Sequence, residues 1–137
     1  MNPLVIAGLK SAGSGLFRFT RNAILDHVEL HVLRAVETIF EDYGLLADKP
    51  TLLGYVRGRV AEKFKELRKG KAFWKKTAYS VAEDEVMLTL NEVAAHLPDI
   101  SREALYMKIK EEIGDRFTRL RKGRENRILE GMEGSDE

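Results

Sequence analysis

No cysteine occurs in the 137 residues, which excludes disulfides and thiolate metal sites. Glutamine is also absent, and a third of the side chains are charged. Thinned thermolabile residues beside enriched charges form a hyperthermophile-like pattern. Long apolar runs are missing too. The run Leu4 to Leu9 is too short to span a membrane and lacks the basic lead-in of a signal peptide, so a cytoplasmic protein is expected, in host cytoplasm if viral. With 44% hydrophobic residues, the chain can still bury a sizeable core as about one domain.

The net charge of +1 conceals a strong pattern along the chain. Residues 1–46 carry −1, residues 47–79 carry +7, residues 80–100 carry −5, residues 101–127 carry +4 and the last ten carry −4. Two basic blocks thus flank an acidic one.

Residues 1–21, with the run Gly8-Leu-Lys-Ser-Ala-Gly-Ser-Gly15, read as a flexible N-terminal arm. The Gly8–Gly13 spacing is half a phosphate loop, but Ser14-Gly15 stand where Lys and Ser/Thr are needed. Residues 22–79 read as a helical, dimerising segment. From Asn22 to Tyr43, Leu25, Val28, Val32, Ala35, Val36, Ile39 and Tyr43 form one stripe, and Gly44 follows as a stop. Leu30, Leu33 and Phe40 lie off that stripe, which suggests burial on a second side, by a second copy in a homodimer or by the N-terminal arm with Leu4, Val5, Ile6, Leu16 and Phe17 folding back within one chain; a homodimer is expected. Asp48-Lys-Pro50-Thr51 opens a second helix with Leu53, Val56, Val60, Phe64 and Leu67 as its buried stripe, ending near Gly70. Ala72 to Tyr79 reads as a further short helix. Residues 131–137 read as a disordered acidic tail.

Residues 80–130 carry a resemblance. Thr89-Leu-Asn-Glu92 matches a capping box, opening a helix that ends at Leu97 before Pro98. Ser101 serves as N-cap of a second helix through Ile113, closed by Gly114. Arg116–Leu120 and Arg127–Leu129 read as two short strands, joined by a turn over Arg121-Lys122-Gly123-Arg124 and the next two residues. Helix, turn, helix and basic hairpin in this order resemble the winged helix-turn-helix family, with Val93, Ala94, Leu97, Ile100, Leu105, Ile109 and Ile113 at the buried positions. The resemblance implies that Glu85–Leu88 is a short strand pairing with the wing. The turn holds Pro98-Asp99 where that family usually has glycine. The fold this implies is mainly α: a helical N-terminal segment followed by a winged helix-turn-helix with a small β-hairpin wing.

In that family the second helix enters the major groove of double-stranded DNA and the wing touches the backbone. The resemblance therefore implies base or phosphate contacts from Ser101, Arg102, Glu103, Tyr106 and Lys110. It implies phosphate contacts from Arg116, Arg119, Arg121, Lys122, Arg124 and Arg127 in the wing. A second basic patch includes Arg57, Lys63, Arg68, Lys71 and Lys75, with Phe73 and Trp74 inside the block. It reads either as a solvated face with internal ion pairs or as a further nucleic-acid surface, and Trp74 itself reads as core. His27 and His31 stand one helical turn apart, a spacing that can share a metal, but no third ligand is evident nearby. Neither a cofactor, a metal, a small-molecule effector nor an enzyme constellation is expected. The expected function is a DNA-binding transcriptional regulator of an archaeon or archaeal virus. The alternatives are a structural or protein-interaction module, or an accessory factor in replication or RNA processing.

Overall fold

A computed structural model describes the backbone of residues 13–135 and the side chains of residues 21–73 and 75–122. Among the described residues four helices follow one another: α1 (Gly13–Tyr43), α2 (Lys49–Arg68), α3 (Phe73–Ala95) and α4 (Arg102–Ser135), with a 3-10 turn, Leu97–Asp99, between α3 and α4. Each helix packs on its sequence neighbour, α4 closes back onto α1, and α1 also meets α3 across the core. The short connections make sequence neighbours antiparallel, so the described residues form an up-down-up-down four-helix bundle.

The core follows from the spacing of apolar residues. Leu25, Val28, Val32, Val36 and Ile39 of α1 face Leu53, Val56, Val60 and Phe64 of α2, Tyr79, Ala82, Val86, Leu90 and Val93 of α3, and Leu105, Ile109, Ile113 and Phe117 of α4. All recur at three- and four-residue steps, which place them on one side of each helix.

Caps and turns fix the boundaries at one end. Gly44 stops α1, and a Cβ there would collide with the Phe40 carbonyl. Asp48 caps α2, its carboxylate accepting from the Thr51 amide at 2.8 Å; that bond holds the Asp48 carboxyl below its ordinary range. The Lys49 ammonium donates to the Leu97 and Ile100 carbonyls at 2.7 and 2.8 Å, and Arg102 donates to the Gly44 carbonyl. These bonds tie the α1–α2 and α3–α4 turns together. At the opposite end, Gly70 adopts φ +70° in the α2–α3 turn, a conformation that glycine enters without steric cost. Ser101 caps α4 through its hydroxyl, which accepts from the Ala104 amide at 3.2 Å. Ser101→Ala is expected to lower stability by about 1 kcal/mol in chemical denaturation.

The winged helix-turn-helix is overturned: there is no strand among the described residues. Glu85–Leu88 lies inside α3, and Arg116–Leu120, the turn after it and Arg127–Leu129 all lie inside α4. Gly114 does not end the helix. A glycine inside a helix costs about 1 kcal/mol, whereas burying Phe117 and Leu120 on the same face returns about 1.5–3 kcal/mol for each large apolar side chain fully covered. Thr89 does not open a helix either. It is fully buried in the α3 stripe beside Val86, Leu90 and Val93, and its hydroxyl donates back to the Glu85 carbonyl at 2.8 Å. The short helix expected at Ala72–Tyr79 is therefore the first part of α3.

Other boundaries shift as well. Of the expected arm, residues 13–21 are the opening turns of α1, and residues 1–12 lie outside the described residues. Residues 131–135 of the expected tail are helical. Leu33 and Phe40, the reason for expecting a dimer through α1, pack against the core within one chain, and the Phe40 ring lies 5.0 Å from that of Tyr106 on α4. Leu30 remains 48% exposed.

Candidate nucleic-acid interface

The residues expected to read DNA are largely occupied inside the chain. Ser101 caps a helix and Arg102 holds the Gly44 carbonyl. Tyr106 packs on Phe40, and the Lys110 ammonium sits 4.7 Å over the Tyr106 ring. Glu103 is exposed, and it carries the same sign as phosphate.

The expected wing cations behave in the same way. Arg116 reaches across to α3, bonding Glu92 and lying 3.7 Å from Glu85. The Glu92 bond raises its pKa further. Arg121 bonds Asp26 and Glu29 of α1 at 2.9 and 2.8 Å. Arg119 and Lys122 are exposed, and the side chains of Arg124 and Arg127 lie outside the described residues. Along α4, Lys108 and Glu112 pair at 2.9 Å, which raises the pKa of the lysine and lowers that of the glutamate. This helix is a strut zipped to its neighbours by ion pairs.

The second basic block is divided. Arg57 donates to the Asn91 amide oxygen at 2.7 Å, while its buried Nε has no hydrogen-bond partner. Lys63 pairs with Glu66 at 3.2 Å, Arg59 with Glu62 at 3.5 Å, and Arg68 with Glu83 of α3. Lys65, Lys69, Lys71 and Lys76 are exposed, and none forms an ion pair among the described residues. Lys75 is half-buried.

These free lysines meet where the Gly70 turn reverses the chain. Lys65 and Lys69 share a face at the end of α2. Phe73 and Lys76 share a face at the start of α3, with Lys71 between the helices. Phe73 is 85% exposed. The first turn of α3 has no acidic residue and Ala72 supplies no capping side chain, so lysines crowd the positive end of the helix dipole. Sequence patterning found the block; Arg59 and Lys63 take partners three residues on within α2, whereas Arg57 and Arg68 take theirs from α3. Trp74 lies in this turn, with its side chain outside the described residues.

His27 and His31 stack edge-on with ring centroids 4.4 Å apart. Partial burial, helped by the charges of His27, Lys63 and Arg34, lowers the pKa of His31. No group of three or more His, Asp or Glu poised to hold a metal occurs among the described residues. No described helix is long and apolar enough to cross a membrane. No family model matches this chain, and neither a curated protein nor a solved structure matches it.

Proposed function

We propose that this chain is a non-enzymatic nucleic-acid-binding protein that uses the basic α2–α3 end of its bundle and recognises the phosphate backbone rather than base sequence. One observation carries this reading: an aromatic ring 85% exposed among Lys65, Lys69, Lys71 and Lys76, four cations free of intramolecular ion pairs among the described residues. Free lysines neutralise phosphates and release counterions, and an exposed ring gives an unpaired base a stacking surface. A solvent-exposed phenylalanine has no role in the core, and lysines at a helix N-terminus work against the dipole until an anion arrives. Double-stranded DNA supplies the backbone chemistry, and single strands add the unpaired bases. A regulatory role would then come from occupancy of DNA, with the cytoplasm as the site of action.

The test is fluorescence anisotropy with a random duplex and with a single strand of equal length at several salt concentrations. Four phosphate contacts predict a log–log salt slope of about −3.6 on the duplex. Joint replacement of Lys69, Lys71 and Lys76 by Ala should flatten that slope by about 0.9 per lost contact, equally on all duplex sequences. Phe73→Ala should weaken only single-strand binding, by about 1–3 kcal/mol per stacked base. Arg121→Ala, which removes a cation engaged with α1, should leave binding alone. Unchanged affinity and slope in the lysine variant would exclude this end as the contact. Binding to anionic vesicles in place of nucleic acid would reassign it to a membrane surface.

A further inference from the structure

The opposite end of the bundle has the reverse character. In the α1–α2 turn, Leu45 and Leu46 are 94% and 83% exposed, while Ala47 beside them packs on the core. The half-exposed rings of Tyr43 and Tyr55 lie 4.8 Å apart next to this turn, and Met107, 59% exposed, stands in the second turn of α4 at the same end. Exposed acids surround these apolar groups: Glu41, Asp42, Asp48, Asp99 and Glu103. The local cations Lys49 and Arg102 are held on backbone carbonyls. Two adjacent leucines left in water inside an acidic rim form a docking surface.

The geometry limits what covers it. The α1 helix runs about 45 Å from Gly13 to Tyr43 at 1.5 Å per residue. The described N-terminus of α1 therefore stands at the far end of the bundle from Leu45 and Leu46. Two copies of the acidic end facing each other would oppose like charges. The one strongly basic surface described is the α2–α3 end, and it presents Phe73 as an apolar centre.

We propose that a second copy of this chain docks its basic end, with Phe73 at the centre, onto the acidic Leu45–Leu46 end, giving a head-to-tail contact. Such a contact uses different patches on the two copies, so it propagates into chains unless the rotation closes a ring. It differs from a dimer through α1. It also sets assembly in competition with nucleic acid for the basic end, although the contact itself does not depend on nucleic-acid binding.

Sedimentation velocity on two complementary variants tests this. One carries Leu45→Ser and Leu46→Ser. The other carries Lys71→Glu, Phe73→Ser and Lys76→Glu. All five positions are exposed, so each variant is expected to keep its helices, which circular dichroism checks. Wild type should grow in mass with concentration between about 10 and about 500 µM, the range expected of a small contact, and should dissociate as salt rises. Each variant alone should remain at 15.6 kDa, and their equimolar mixture should form a species of about twice that mass, because one intact face of each kind remains. Three results would overturn the proposal: a wild type that stays monomeric, a mixture that does not associate, or self-association of the basic-end variant alone. Anisotropy of the Leu45→Ser/Leu46→Ser variant with nucleic acid separates the two readings, since retained binding with lost assembly is expected and either property can fail without the other.

Discussion

Replacing Gly114 by proline is expected to destabilise the protein by about 3 kcal/mol or more, while Gly114→Ala should stabilise it by up to about 1 kcal/mol. The opposite signs follow from the position of this residue inside α4, thirteen residues of which follow Ser101 before Gly114 is passed at Asp115. An interior helical residue donates its amide to the carbonyl four residues earlier, here that of Lys110. Proline deletes that bond and drives its ring into the same carbonyl. The next turn is fastened on the other side, because the Thr118 hydroxyl donates to the Gly114 carbonyl at 2.9 Å. A methyl at Gly114 meets nothing within 4 Å, and φ there is not positive, so alanine contributes its helix propensity without strain. Were Gly114 a helix terminus with left-handed backbone, alanine would be the harmful change and proline just beyond the end would be tolerated. Urea unfolding of both variants decides it: midpoints displaced in opposite directions, with proline low and alanine high, are expected. An alanine variant less stable than wild type would contradict a continuous α4.

The same residue shows how far the sequence could be read. The helices α1 and α2 were legible with their stops, because a single apolar stripe, a proline in the first turn and a glycine after the last are local signals that all point the same way. The start of α4 at Ser101 was legible for the same reason. The wing was misread because Gly114 and the arginine-rich stretch after it are local turn signals, while the deciding evidence was the continued spacing Ile109, Ile113, Phe117 and Leu120. In α3 the Thr89–Glu92 box is a genuine pattern in the wrong context. The stripe through Ala82, Val86, Leu90 and Val93 runs through it, and Glu92 answers Arg116 from another helix instead of its own amides. The charge blocks could be counted from sequence, but their use could not. Arg121 finds Asp26 and Glu29 more than ninety residues away, and Arg68 finds Glu83 only after the Gly70 turn. Local i,i+3 and i,i+4 pairs settle Arg59, Lys63 and Lys108, but the fate of Arg57, Arg68, Arg116 and Arg121 is set by antiparallel packing that no local window contains.

Phe117→Ala is expected to cost about 3–5 kcal/mol, the largest single-residue truncation effect foreseen in α4. Phe117 has no exposed surface and belongs to the same core cluster as Leu105, Ile109 and Ile113. Removing its ring forfeits the transfer free energy of the side chain and leaves a cavity, and the neighbours that would have to collapse into it are held on rigid helices. Against the roughly 5–15 kcal/mol of net stability of a domain of this size, that is about a fifth of the total or more. The loss should also be uneven. Beyond Phe117, α4 is docked through half-buried Leu120, through Arg121 on Asp26 and Glu29, and through the Leu120 carbonyl that accepts from Arg21. With the ring gone, these contacts hold the segment with less apolar support, so amide hydrogen exchange should quicken first in α4 after Phe117 and in the facing turns of α1 near Asp26. Exchange near Leu45 and Leu53, at the other end, should quicken only with global unfolding. Lys122→Ala, at an exposed position, serves as the control and should move the urea midpoint within about ±0.5 kcal/mol. A Phe117→Ala cost below about 1 kcal/mol would place the ring outside the core, because even partial collapse of a phenylalanine cavity exceeds that.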